Sequence, residues 1–211
     1  MGKIMKIIII KIGSSILLTK RNKLDELRIV HIAEQICKLK ERLYGAILVV
    51  SGAVAYGANF IDISGRNIKA RQAAAGIGQV HLTSVFQEIF IKKNLQLAQI
   101  LLAKEVLSSI KQQKLLRQII KLYLKTGVIP LFNENDVIDL NCFGGNDFLA
   151  AKLTELFRAD QLLILSSREG SKYGIGGGQS KQAVIKSLSN INIKAEIIDG
   201  KKREVILKNV L

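Results

Sequence analysis

The run Lys6-Ile7-Ile8-Ile9-Ile10-Lys11-Ile12-Gly13-Ser14-Ser15 constrains this chain more than any other stretch. An unbroken β-branched segment without polar alternation has no face to give to water, so it reads as a strand covered on both sides. Gly13 and the hydroxyl residues after it close the strand in a tight turn. Lys11 stands at the carboxyl end, where open parallel sheets receive ligands, and a glycine there lets backbone N–H groups approach an anion. Two readings stay open at this point. Lys11 meets a phosphate, or it marks where the strand leaves the core.

The same grammar recurs along the chain. Apolar residues at helical spacing predict a helix over 24–43, stopped by Gly45, and a second buried strand over 46–50. That strand empties into Ser51-Gly52-Ala53-Val54-Ala55-Tyr56-Gly57, whose small side chains leave room for a ligand or a helix N-terminus. A long helix over 71–93 follows, then a strand over 96–102, a helix over 110–125 and a strand over 128–132. This last strand carries Pro130, the single proline of the chain. Lacking an N–H, it is expected at a sheet edge, a strand end, or a place where that bond is not needed. A helix over 148–157, a strand over 160–165, a helix ending near 188 and a strand over 194–198 complete the pattern. Strands alternating with helices in this way predict an α/β fold, a three-layer α/β/α sandwich around a mostly parallel sheet.

The 211 residues suffice for one domain with a full core. A net charge of +15 suits a polyanionic partner. The lysines are nevertheless spread over the predicted helices, and aromatic residues make up only 5% of the chain, which leaves little for base stacking. A solvated lysine-rich surface is the favoured reading and nucleic acid is not. Cys37, Cys142, His31 and His81 have no metal-type spacing. The apolar run over 7–10 is too short to span a bilayer, and Lys11 interrupts it too early for a secretory signal. The expectation is a cytoplasmic protein without a membrane partner and without a bound metal cluster.

Three further stretches are suited to polar ligands. Asn133-Glu134-Asn135-Asp136 follows the proline-bearing strand, and either a substrate site or an ordinary polar loop fits it. Gly144-Gly145-Asn146-Asp147 opens a helix, where Asn146 or Asp147 serves as a cap or as part of a site. The glycine-rich turn from Tyr173 through Gly176 and Gly177 to Ser180-Lys181 feeds a helix N-terminus, a ready place for an anion, and Lys181 adds a charge there.

Taken together, Lys11-Ile12-Gly13-Ser14-Ser15, Ser51-Gly52-Ala53-Val54, Gln72-Ala73-Ala74-Ala75-Gly76-Ile77-Gly78-Gln79 and Ile129-Pro130-Leu131-Phe132-Asn133-Glu134-Asn135-Asp136 resemble the amino acid kinase family and, within it, the glutamate 5-kinase branch. The resemblance runs along nearly the whole chain. It implies a single kinase domain over 1–211, with an amino-acid-substrate half over 1–158 and a shortened nucleotide half over 159–211. It also implies ATP with Mg2+, and transfer of the γ-phosphoryl group to the side-chain carboxylate of glutamate, which feeds proline synthesis. By the same resemblance Lys11 and Lys181 stabilise the transferring phosphoryl group and Asp147 holds them. Ser51, Asp136 and Asn146 bind glutamate, with Gly52 and Ala53 giving close backbone approach. Lys11, Gly13, Ser166, Ser167, Gly176, Gly177 and Lys181 serve the nucleotide. No residue is assigned to a protein-held metal, and relatives of this kind assemble as homo-oligomers.

The chain departs from the family pattern in several places. Gly145 stands where a carboxylate is usual, Ser166-Ser167 replaces Thr-Asp, Gly178 replaces a methionine, and Ser171-Lys172-Tyr173 bridges a segment that is normally some forty residues long, a length that usually carries function. A catalytically impaired homologue acting as a binding or oligomerisation protein, and a kinase for another small acid, are therefore alternatives.

Overall fold

The computed structural model describes residues 5–64, 67–167 and 178–210. Its centre is a six-stranded sheet built from β1 (Lys6–Ile12), β2 (Tyr44–Val50), β3 (Gln96–Leu102), β4 (Val128–Glu134), β5 (Gln161–Ser166) and β6 (Lys194–Asp199). The spatial order is β3-β4-β2-β1-β5-β6, and every pairing is parallel. The chain places β2, β3 and β4 on one side of β1 and then switches to the other with β5 and β6, so the carboxyl end of β1 is a topological switch point. β5 and β6, which follow residue 158, extend the same sheet.

The helices are α1 (Ser14–Leu17), α2 (Glu26–Glu41), α3 (Ala53–Gly57), α4 (Ile68–Ile91), α5 (Lys104–Ser108), α6 (Ile110–Thr126), α7 (Asn146–Phe157), α8 (Gly178–Ser189) and α9 (Val205–Asn209). Alternation along each strand divides the core in two. Ile8, Ile10, Leu48 and Leu163 face α2, α4 and α9, whereas Ile9, Ile47, Val49 and Ile164 face α6, α7 and α8. The expected three-layer sandwich is what forms. Local signals set the helix ends: the side chains of Asp25, Asn67 and Ser109 cap α2, α4 and α6 by accepting from Arg28, Ala70 and Gln112 N–H groups.

The structure differs from the sequence reading in instructive ways. The stretch after β2 turns into the short helix α3, one of the two readings it allowed, and α1, α5 and α9 were too short for their periodicity to stand out. β4 runs two residues further than expected and takes Asn133 and Glu134 into the sheet. Pro130 sits in an interior strand; it lies opposite Ala98 of β3, while the ladder to β2 begins only after it, at Leu48–Leu131 and Val49–Phe132. Its missing N–H is thus placed where that ladder has stopped.

The small residues of α4 have a definite partner in α3. A Cβ on Gly78 would stand 1.8 Å from the Ala53 carbonyl oxygen, and one on Gly57 would stand 1.9 Å from that of Ala74. Backbone packs on backbone here, and no side chain can bend away. Gly78→Ala is therefore expected to lower stability by about 3 kcal/mol or more, at the upper end of overpacking costs. Thermal melts check this, and an unchanged melting temperature would rule out the close contact.

Candidate active site

At the carboxyl end of β1, Lys11 points into a buried cluster. Its Nζ lies 2.7 Å from Asp147 Oδ1, and Lys181 Nζ lies 3.2 Å from Asp147 Oδ2. Lys11, Asp147 and Lys181 are all buried, at 5%, 2% and 9% exposure. One carboxylate therefore holds two ammonium groups from elements 170 positions apart in sequence, with Ser180 Oγ also donating to Oδ2. Asp147 sits in the first turn of α7, Lys11 on β1 and Lys181 on α8, so the cluster forms only when the sheet and its two covering helices are assembled. Burial lowers the pKa of Lys11, with Asp147 pulling the other way and Lys181 adding to the drop. Burial pushes Asp147 up, but Lys11 and Lys181 outweigh it and hold the carboxyl below its usual range. The cluster carries two positive charges against one negative, which suits a polyanion.

The second half of the site is the loop between β4 and α7. Asn133 Nδ2 donates to Gln79 Oε1 at 2.6 Å, and Asn146 Nδ2 donates to Asn133 Oδ1 at 2.7 Å. Glu134 Oε1 accepts from the N–H groups of Phe143 (2.9 Å) and Gly145 (3.3 Å). Asp136 Oδ1 accepts from Asn141 N–H at 3.0 Å. Side chains at the end of β4 thereby fold the following loop back on itself and present Asn146 at its exit. Asn146 Oδ1 is buried without a hydrogen-bond partner among the described residues, as is Arg71 Nε. These buried groups leave one unpaired acceptor and one unpaired donor at this end of the site. Burial raises the pKa of Asp136, the Asn141 N–H opposes that rise, and the Arg71 charge opposes it further.

Glu134 has a consequence for pH. Burial pushes its carboxyl up to about 7, against the pull of the Phe143 and Gly145 N–H groups and with help from the Asp136 charge. The folded chain holds this proton more tightly than the unfolded chain does, so Glu134 makes stability fall as pH rises from the ordinary carboxylate range to about 7, and level off above it. Glu134→Gln keeps an acceptor for both N–H groups and is expected to remove that slope. Urea midpoints of both proteins at about pH 5 and about pH 8 measure it. Equal pH dependence in the two proteins would show that Glu134 does not titrate in this range.

The other residues singled out in the sequence fall around the same edge. Ser51 follows β2, and Gly52 adopts φ 120°, a left-handed conformation that favours glycine, to turn the chain into α3 at Ala53. Gly13 donates its N–H to the Leu165 carbonyl at 3.0 Å, so that group is engaged within the fold; a Cβ there would stand 3.1 Å from the same oxygen. Ser166 and Ser167 follow on the far side of β1, where Ser167 N–H donates to Ser15 Oγ at 3.4 Å. Gly176, Gly177 and the bridging Ser171-Lys172-Tyr173 lie outside the described residues. Gly145 takes φ 106°, which a glycine adopts freely and an L side chain rarely does, and among the described residues no atom lies within 4 Å of where a Cβ would be, so the departure from a carboxylate coincides with a backbone that favours glycine. Sequence reasoning missed Arg71 and the role of Glu134. Arg71 had only its position at the start of a small-residue helix, which carries no signal of its own.

An α/β/α sandwich with a fully parallel sheet, whose switch point gathers two lysines on one buried aspartate, defines a class of anion-handling α/β proteins. Solved structures share the fold: UMP kinase from Bacillus anthracis superposes with a TM-score of 0.65 over 95% of this chain and 90% of that one at 13% identity. Isopentenyl phosphate kinase does so with a TM-score of 0.62 over 93% and 92% at 12% identity. The chain belongs to the amino acid kinase family, whose model matches residues 6–196. It is 34% identical over 200 residues to glutamate 5-kinase of Pelagibacter ubique, covering 93% of this chain and 54% of that protein. It is 32% identical over 206 residues to glutamate 5-kinase 2 of Bacillus subtilis, covering 96% and 56%. The chain thus spans about half the length of these two relatives; it spans 74% of glutamate 5-kinase from Clostridium acetobutylicum, at 34% identity over 198 residues.

Proposed function

We propose that the protein transfers the γ-phosphoryl group of ATP to the side-chain carboxylate of glutamate, giving glutamyl 5-phosphate for proline synthesis in the cytoplasm. The observation that carries this reading is the buried Lys11–Asp147–Lys181 cluster at the sheet's switch point. Bringing a carboxylate up to a polyphosphate joins two anions and spreads charge over the transferred group, so positioned cations supply most of the catalysis. In this reading Lys11 and Lys181 neutralise that charge from opposite sides and Asp147 keeps the two mutually repelling lysines in place. Residues 1–158 supply Ser51, Gly52, Ala53, Asp136 and Asn146 for glutamate. The Asn146 carbonyl oxygen accepts from the α-ammonium group, beside the Asp136 carboxylate. Residues 159–211, with Gly13 and Lys11, supply the nucleotide site through Ser166, Ser167, Gly176, Gly177 and Lys181. Among the described residues no group of three His, Cys, Asp or Glu side chains is placed to hold a metal. In this reading magnesium is carried by the phosphates. Among the described residues no helix is long and apolar enough to cross a membrane. The exposed Val80 of α4, at 66%, and the exposed Phe60 in the turn after α3, whose ring stacks on His81 of α4, support assembly with further copies of the chain.

Calorimetric titration of magnesium-ATP and then glutamate, with ADP and glutamyl phosphate assayed in the same preparation, tests the proposal. Saturable binding of both and glutamate-dependent turnover are expected. Glutamate binding without nucleotide binding would replace the kinase reading with that of a binding homologue. Turnover with another small acid in place of glutamate would favour the alternative that Gly145 raises.

A further inference from the structure

The end of the sheet opposite the site is open. β2 and β4 begin at Tyr44 and Val128 but pair only at Leu48–Leu131 and Val49–Phe132, so below those residues no ladder hydrogen bonds join the two strands. The ladder stops just after Pro130, which has no N–H to extend it. A cavity of about 980 Å³ lies at this end of the sheet, at the upper end of the size range of small-molecule pockets. Its floor is apolar, with Met5, Ile7, Ile120, Leu124, Ile129 and Leu156. Its rim carries Lys40, Arg117, Lys121, Lys125 and Arg158, and among the described residues that line it none is acidic; the nearby Asp160 carboxylate is engaged by the Ile7 N–H at 2.7 Å. Lys40 Nζ donates to the Gly127 carbonyl and Arg117 Nε to the Leu156 carbonyl, whereas Lys121, Lys125 and Arg158 form no ion pair among the described residues. About 13 Å of strand separate Ile7 here from Lys11 in the site.

We infer that this cavity binds a fatty carboxylate, its acyl chain on the apolar floor and its carboxylate at the cationic rim. Two features choose this occupant. A concave apolar chamber removes a single chain from water, at about 0.8 kcal/mol per buried methylene, and a rim of one charge sign selects an anionic head over a neutral one. A second copy of this chain is disfavoured, because a two-fold contact through this face would set its lysines and arginines against themselves. The site is independent of the proposed kinase activity, since none of its residues belongs to that machinery.

Isothermal titration of the full chain with sodium dodecanoate below its micelle concentration tests the inference. One chain bound per protein is expected, with affinity that weakens as salt is added. Dodecanol, which keeps the chain and loses the charge, is expected to bind at least about tenfold more weakly, and so is dodecanoate to a Lys121→Glu/Lys125→Glu variant. Both lysines are exposed, so the variant retains its fold and its magnesium-ATP binding. Methyl NMR locates the ligand: shifts at Ile7, Ile120, Leu124 and Ile129 support the cavity. Absent binding, equal affinity for dodecanol, undiminished binding by the charge-reversed variant, or methyl shifts confined elsewhere would each overturn it.

Discussion

Lys11→Met is expected to cut glutamate-dependent ADP formation by about 10³-fold or more, the scale of losing a cation from a phosphoryl-transfer site, while the fold survives. The expectation rests on where the charge sits. The Lys11 ammonium is 5% exposed and 2.7 Å from Asp147, so water cannot stand in for it when negative charge builds on the transferring group. The aliphatic stem of lysine is replaced by methionine of similar length, so no large cavity opens. Asp147 keeps Lys181 at 3.2 Å and Ser180 at 3.4 Å and is not left as an unpaired buried anion. Because the interaction is strongest in the transition state, kcat should carry most of the loss and substrate binding little of it. Steady-state kinetics with thermal melts separate the outcomes. Undiminished turnover, or a protein that no longer folds, would contradict the assigned role.

Asp147→Ala should act on stability as well as on activity. Removing this carboxylate leaves Lys11 and Lys181 buried, close together and without their shared counter-charge. Breaking a buried ion pair from one side costs about 3–5 kcal/mol. The sign with pH follows from the same picture. In the variant both lysines should be driven below their unfolded pKa of about 10.4, so the unfolded chain binds more protons and stability recovers as pH rises toward that value. Wild type should show the same recovery to a smaller extent, because Asp147 opposes the burial that lowers the Lys11 pKa. Denaturant melts at neutral and alkaline pH give the measurement. Adding Lys11→Met to Asp147→Ala should restore much of the lost stability, since one buried charge remains where there had been two, and the resulting double-mutant cycle measures the coupling. Additive losses in that cycle would show that the two side chains do not depend on each other.

Much of this architecture was legible before any coordinates. The isoleucine run of β1, the breaks at Gly45 and Gly127, and the strand–helix alternation are local features with periods of two and 3.6 residues, and they describe all six strands and the larger helices. Short α1, α5 and α9 escaped because four or five residues do not complete enough turns for a period to show. Of the site, the chain itself advertised Lys11, Asp136, Asn146, Asp147 and Lys181, because charged or amide residues directly after a buried strand or before a helix stand out from the pattern around them.

Arrangement was another matter, and the difference has one physical cause. Periodicity records which face of an element is buried but not what it is buried against, because contacts between distant residues leave no mark on local spacing. The small-residue stretch at 73–78 was as consistent with a sheet or another chain as with α3, until the Gly78–Ala53 and Gly57–Ala74 approaches decided it. Pro130 stood for an edge, an end or an unneeded bond, and only the pairing of β4 with β3 on one side and the end of its ladder with β2 on the other chose the last. Glu134 looked like one more polar loop residue; the tertiary fold buried it in β4 and gave it two backbone donors from a loop nine and eleven residues on. The sequence by itself determined the elements, their layers and the residues able to carry charge. The tertiary structure alone decided that Asp147 stands between Lys11 and Lys181, because desolvating two like charges beside one carboxylate is a property of the space they share and not of the order in which they occur.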